Sequence, residues 1–329
     1  MQIGPYTLSS QLLLAPMAGI TDPPFRRLCK QFGAGLATSE MLTSDITLWD
    51  SKKSAHRLPH PDEVEPRSVQ IAGTDPIMMA KAAQLSIEKG AQIIDINMGC
   101  PAKKVCNKAA GSALMQDPKT ARAIIKAVTK VATVPVTLKI RTGWSRKNRN
   151  ALEIAKIAEQ NNITALSIHG RTRQDAYLGF AEYETIRRVK QAINIPVIAN
   201  GDLRNFEDLQ FVLDYSGADG LMIGRAAQGQ PWIFQQYNEL LKTGKISAEL
   251  PFDQKRQIII DHIKHIHFLF GNPTGIRIAR KHIGWYFDKL RLPADKKKLV
   301  FGAQSPESQV HMLLDVLGNP PNEEKGIIL

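Results

Sequence analysis

Eight short apolar runs, each followed by a stretch of helical period, order about the first three quarters of this 329-residue chain. Strands buried on both faces read as near-continuous Val, Ile and Leu runs, whereas surface helices repeat their apolar positions every three to four residues. Ranges 12–18, 35–41, 67–72, 92–97, 134–141, 164–169, 196–200 and 219–224 have the first character. Ranges 75–89, 119–131, 151–160, 183–192, 206–215 and 232–241 have the second, several opening on an Asx, Ser or Thr cap and closing near Gly. Eight units in about 244 residues come to roughly 30 residues each, the size expected of a (β/α)8 TIM barrel. A doubly wound open sheet shares the local alternation but has no reason to stop at eight.

After Gly244 the strand signal ends and only helical period remains, at 253–270, 274–290 and 306–317, punctuated by Gly271, Pro273 and Pro293. The fold class is therefore α/β. A TIM barrel over 1–244 is followed by a smaller all-helical C-terminal domain over 245–318 and a flexible tail over 319–329. No run nears the roughly 18 apolar residues of a membrane span, since Pro16 and Asp22 flank the best of them. The segment after Met1 has neither a basic stretch nor an apolar core, so a cytoplasmic protein is expected. Cys29, Cys100 and Cys106 are too few and too irregular for a disulfide framework or a zinc site, and free thiols without a metal are expected.

Catalytic groups of such barrels come from the C-terminal ends of the strands, and here those ends are polar. They read Ala15-Pro16-Met17-Ala18-Gly19, then Gln70, then Asp95-Ile96-Asn97-Met98-Gly99-Cys100-Pro101, then Lys139 and Arg141, then His169-Gly170-Arg171-Thr172-Arg173, then Asn200-Gly201-Asp202, then Gly224-Arg225. The seventh and eighth ends suit the usual phosphate seat of the fold, because glycine lets backbone N–H groups approach an anion. Lys139 and Gln70 add a cation and an amide, the partners a flavin needs at the pyrimidine edge where charge gathers on reduction. Pro16 and Met17 complete a slot for a flat aromatic cofactor. Cys100, on a Gly-Cys-Pro turn, is the reactive candidate. A thiol with an ordinary pKa of about 8.5 stays mostly protonated near neutrality and can donate a proton, whereas a nucleophilic thiolate would want a closer His than His169. Cys29 falls in an amphipathic run and reads as core; Cys106 reads as inert.

The ordered strand-end motifs, together with Ile20-Thr21-Asp22, Gln70-Ile71-Ala72-Gly73, Lys139-Ile140-Arg141-Thr142-Gly143 and Ala199-Asn200-Gly201-Asp202, resemble the tRNA-dihydrouridine synthases. Cys100-Pro101-Ala102-Lys103-Lys104-Val105, Arg277-Ile278-Ala279-Arg280-Lys281-His282 and Trp285-Tyr286 look most like the bacterial B subgroup. Pro24 and the Pro-rich stretch after Gly318 depart from the family pattern, away from the site. The resemblance implies an FMN-dependent reduction of the C5=C6 bond of a D-loop uridine, position 17 in this subgroup, with NADPH or NADH as reductant. By position it implies that Pro16, Met17, Ala18, Gln70, Lys139, His169, Asn200, Gly201, Asp202, Gly224 and Arg225 hold FMN. Cys100 would be the proton donor, and Asn97 and Arg141 would face the uracil.

Such an enzyme must draw its uridine out of a folded RNA, which demands a basic surface. The chain carries 43 Lys and Arg against 31 Asp and Glu, a net of +12. Between Arg277 and Lys298 eight basic residues stand against two acidic ones, half of that excess. Arg277, Arg280 and Lys281 recur at helical spacing and are expected to contact the tRNA D-arm; Trp285 and Tyr286 suit either base stacking or the core. A second basic run, 139–149, holds five Lys or Arg and no acid. A monomer is expected. Two rival readings remain at this level: an FMN barrel acting on a small molecule, as a dihydroorotate dehydrogenase does, and a non-catalytic RNA-binding protein.

Overall fold

Each apolar run enters a parallel strand, and the eight strands close on themselves. In the computed structural model, which describes residues 1–60, 63–107 and 109–318, they are Leu12–Leu14, Leu36–Ala37, Ser68–Ala72, Ile93–Met98, Val136–Arg141, Ala165–His169, Val197–Asn200 and Gly220–Ile223. The eighth pairs with the first, Leu221 opposite Leu12 and Ile223 opposite Leu14. A parallel bridge from Thr38 to Ser68 closes the second strand against the third, completing a TIM barrel. The run expected as one strand at 35–41 is two pieces, Leu36–Ala37 and Leu42–Thr43. Between them Ser39 Oγ accepts from Gln70 N, and Glu40 Oε2 accepts from Gly19 N, so side chains take over from the ladder there. The first strand also stops short of the expected 18, because Pro16 has no N–H to pair.

Successive strand residues face opposite sides, so alternate positions line the barrel interior. The lower interior is apolar: Leu13, Leu36, Ile93, Ala165, Ile198 and Met222 form one buried cluster with Ile3 and Leu8. Those last two come from the N-terminal segment, where Gln2–Ile3 and Tyr6–Thr7 form a small antiparallel hairpin that the sequence pattern did not reveal. Toward the other end the same lining turns polar, with Gln70, Asp95, Asn97, Lys139, Arg141 and Asn200 all buried. Helices pack outside. Three begin with Asp-Pro, at Pro23–Gln31, Pro76–Glu88 and Pro118–Val131, and in each the Asp side chain accepts from backbone N–H groups of the first turn while Pro occupies a position that needs no donor. Each such cap contributes about 1 kcal/mol. Cys29 is fully buried in the first of these helices, as expected for a core residue.

By contacts the chain divides into two compact units, one of Met1–Ala227 with Trp232–Lys245, the other of Gln228–Pro231 with the residues from Ile246 onward. The second contains helices Phe252–Phe270, Thr274–Leu290, Ala294–Gly302 and Pro306–Leu317. Ile259, Ile263, Ile276, Ile283, Phe287 and Leu313 form its buried interior. The short helix Ala294–Gly302 was not legible in the sequence, since three consecutive lysines mask its one fully buried side chain, Val300. The tail expected at 319–329 lies outside the described residues. No helix among the described residues is long and apolar enough to cross a membrane.

Candidate active site

Two sets of hydrogen bonds order the polar end of the barrel. Gln70 Nε2 donates to Asp95 Oδ2 (2.7 Å), and Thr137 Oγ1 donates to Asp95 Oδ1 (2.6 Å). Asn97 Nδ2 donates to Gln70 Oε1 (2.7 Å), while Asn97 Oδ1 accepts from Gly99 N (3.2 Å) and Cys100 N (3.0 Å). On the other side of the interior, Lys139 Nζ donates to Asn200 Oδ1 (2.9 Å), and Asn200 Nδ2 donates to Met222 O (2.7 Å). Alternation within each strand explains the set: Asp95 and Asn97 share one side of the fourth strand, and Thr137, Lys139 and Arg141 share one side of the fifth. Asp95 was quoted within its motif without a role and Thr137 was not singled out, but each sits two residues from a chosen residue.

Positive charge dominates this end. Burial, and then the Arg141 guanidinium, pull the Lys139 ammonium down to about 8, with Asp95 and Cys100 opposing. His169 is driven well below the ordinary imidazole range by burial and by Lys139, Arg141, Arg171 and Arg225 around it, so its ring is neutral. Arg171 Nη1 lies 3.4 Å from His169 Nε2, and because a guanidinium only donates, Nε2 is the acceptor and the ring proton is on Nδ1.

Cys100 is half-buried on a turn pinned from both sides. Its N–H is held by Asn97, and its carbonyl accepts from Ser112 Oγ (2.8 Å) and Ser112 N (3.1 Å). Gly111 passes beneath with φ +62°, and a Cβ there would come 2.8 Å from Cys100 O. Burial raises the Cys100 thiol, with the Ala102 backbone N–H and then Arg141 and Lys139 pulling the other way. The group is a thiol at neutral pH. Cys106 lies close, its Sγ 3.5 Å from Cys100 O.

Asn97 and Arg141, expected to face a uracil, are drawn largely into the protein. Arg141 is 1% exposed; its Nε donates to Gly99 O (2.8 Å) and its Nη1 to Thr172 O and Ala176 O (both 2.9 Å). They hold the cysteine turn and the loop after the sixth strand in one geometry. Asp202 likewise has its carboxylate occupied. It accepts from Arg171 Nη2 (2.6 Å), Ala181 N (2.7 Å) and Arg204 Nη2 (2.9 Å), with Arg225 Nη2 at 3.5 Å. These partners hold the Asp202 carboxyl below its usual range against the opposing effect of burial. Its carboxylate thus holds three arginines in place. Beside it Gly201 has φ +123°, and a Cβ there would meet Ala181 Cβ at 2.8 Å and His169 Cδ2 at 3.0 Å, so glycine alone fits. Pro16 and Met17 are half-buried and Ala18 exposed, and a Cβ at Gly224 would lie 3.7 Å from Met17 Sδ, which brings the first and eighth strand ends together. Arg171, fully buried, was quoted within its motif but assigned no role by the sequence reading.

In the helical unit, Arg277 and Lys281 are exposed. Arg280 is half-buried, and its Nη2 donates to Ala303 O (3.3 Å), so it braces that unit as well as contributing charge. Tyr286 is core: it is 1% exposed, with its hydroxyl 2.9 Å from His262 Nδ1.

The model of the dihydrouridine synthase family matches residues 13–317. The chain belongs to that family. Proteins named tRNA-dihydrouridine synthase B are 57% identical in Pseudomonas aeruginosa, over 88% of this chain and 87% of that one, and 50% identical in Xanthomonas axonopodis, over 98% of each. The one from Salmonella typhimurium is 52% identical over 94% of this chain and 96% of its own length. Among solved structures, histamine dehydrogenase from Rhizobium superposes with a TM-score of 0.55 at 11% identity, over 98% of this chain and 64% of that one. A 2-naphthoyl-CoA reductase does so with a TM-score of 0.55 at 13% identity, over 74% of this chain and 51% of that one. At such identities the likeness is one of fold.

Proposed function

We propose that the chain is a cytoplasmic tRNA-dihydrouridine synthase that reduces the C5=C6 bond of a D-loop uridine, position 17 by subgroup likeness. The barrel unit carries the chemistry and the helical unit, with Arg277 and Lys281 outward, grips the tRNA D-arm; the enzyme acts as a monomer. The observation that carries this reading is the Cys100 thiol, held on a pinned turn beside buried Lys139 and Arg141.

The residues present fit FMN. A lysine ammonium has three hydrogens to give, and the hydrogen bond described for Lys139 is to Asn200 Oδ1. A buried cation with donors to spare suits the pyrimidine edge of a flavin, and Gln70, held between Asp95 and Asn97, adds an amide. Gly201, Gly224 and Arg225 suit the phosphate, and Pro16, Met17 and Ala18 the ring. When bound and reduced by NADPH or NADH, FMN supplies the hydride for uracil C6. Cys100 holds the proton for C5 on the opposite face, its thiol kept neutral by burial. Asn97 and Ser112 keep that thiol aimed. Lys139 places positive potential where a reduced flavin gathers negative charge.

Replacing Cys100 with Ala should leave the yellow cofactor bound and slow dihydrouridine formation by about 100-fold or more, the usual worth of a general acid. Mass spectrometry of nucleosides from reacted tRNA, beside the flavin absorbance of the same preparation, measures both. Full activity in the variant would remove the acid assignment.

A further inference from the structure

The loop between His169 and the helix Glu184–Lys190 combines two properties that are rarely found together. Its backbone is held at many points. Arg141 Nη1 donates to Thr172 O and Ala176 O, Arg171 Nε to Leu178 O (3.2 Å), Arg171 Nη2 to Gly179 O (2.7 Å), and Ala181 N donates to Asp202 Oδ2. Asp175 accepts from Thr172 Oγ1 (2.6 Å) and from Arg146 Nε (2.9 Å). Yet two large apolar side chains stand out from this fixed backbone, Leu178 at 77% and Phe180 at 88% exposure. An exposed Phe on a loose loop is ordinary, but one displayed by a braced loop is pre-organised for a partner.

The surroundings name the partner's chemistry. Arg146, Arg204 and Arg225 have side chains 72%, 61% and 52% exposed, and the nearby carboxylates of Asp175, Asp202 and Glu182 are each already engaged by arginine. Arg146 Nη2 would lie 3.7 Å from a Cβ on Gly179 and Arg225 sits 5.3 Å from the Tyr177 ring centre, and apolar tips beside guanidinium groups suit stacked bases flanked by phosphates. The loop also shares a brace with the reactive residue, because Arg141 holds Gly99 O next to Cys100 as well as Thr172 O and Ala176 O.

Drawing a uridine out of an RNA stack leaves a gap that the uridine itself would refill. We infer that Phe180, backed by Leu178, is a wedge that enters this gap and holds the stack open while the uracil lies by Cys100. This inference rests on the tRNA reading above. An aromatic or branched side chain inserted between bases restores the stacking that extrusion removes.

The test uses the full-length, flavin-loaded enzyme and tRNA transcripts free of dihydrouridine, with single-turnover rates at saturating enzyme. Phe180→Ala should slow the reaction by about tenfold, one base-stacking contact, while tRNA affinity stays close to that of the parent. Phe180→Leu should recover most of the rate, and the Leu variant guards against a folding defect, as does flavin content in both. With 2-aminopurine beside the reduced uridine, the parent should change its fluorescence on binding and Phe180→Ala should not. Unchanged rates in the Ala variant, or rates that fall only in step with affinity and with the same fluorescence response, would overturn the wedge. If Phe180 instead governs sedimentation with phosphatidylserine vesicles at unchanged tRNA rates, the tips serve a lipid surface. A parent enzyme that makes no dihydrouridine at all overturns the tRNA reading first, and the wedge with it.

Discussion

A lysine ammonium buried among barrel strands holds its charge comfortably only where something negative shares the pocket. Lys139 is pulled to about 8, so its proton is held below that pH and lost above it. A hydrogen-bond acceptor that binds beside it, as the pyrimidine edge of a flavin would, favours the charged form, and linkage then requires the affinity for that group to fall as pH rises through this value. FMN binding to stripped protein, followed by flavin fluorescence, should weaken as pH rises above about 8, and Lys139→Met should bind weakly with a flat profile. A steep profile in the Met variant would assign the titration to another group. At this level much was legible: Gln70, Lys139, His169 and Asn200 stand at strand ends, and polar residues there have little packing reason to exist. Asp95, Thr137 and Arg171 were harder to read, since nothing local distinguishes a buried polar residue that holds a neighbour from one that meets a ligand.

The loop after the sixth strand shows how one element depends on one side chain. Arg171 is fully buried and links Leu178 O, Gly179 O and Asp202 Oδ2. Replacing it with Met would strand these acceptors and leave the Asp202 carboxylate without its most buried cation. Denaturant unfolding of Arg171→Met should show a loss of roughly 1–3 kcal/mol, the cost of leaving buried hydrogen-bond partners unsatisfied, since Arg204 and Arg225 stay with Asp202. Amide exchange at 178–182 should quicken with it, and an unchanged midpoint would show that the loop is held by other means. Among the elements, the Asp-Pro starts of three helices were open to local reading, because a cap acts within four residues. The break in the second strand was not. It arises from Ser39 and Glu40 bonding to Gln70 and Gly19, contacts that no local pattern encodes.

For the whole molecule the charge excess of +12 is the dominant property, and phosphate-driven binding must weaken with salt. Even two phosphate contacts cost about tenfold in affinity over a fourfold rise in salt. Affinity for tRNA should therefore drop at least that far in a filter-binding series, and a flat series would count against the basic-face reading. Reversing both exposed cations, Arg277→Glu with Lys281→Glu, should weaken tRNA binding further while flavin absorbance stays unchanged. Arg280 makes a poorer probe than its spacing implied, because it also braces Ala303 O within the helical unit.

Periodicity in the chain was enough to assign a (β/α)8 barrel with a helical appendage, to number the strands, and to say which end of each would be chemical. Those properties follow from alternation along a single strand or helix, which is local and therefore written in consecutive residues. Which polar groups meet across the barrel was settled by folding alone. Lys139 reaches Asn200 from 61 residues away, and Gln70 reaches Asp95 from 25. Such pairs depend on the register between strands, and a shift by one residue would turn every one of these side chains out of the barrel.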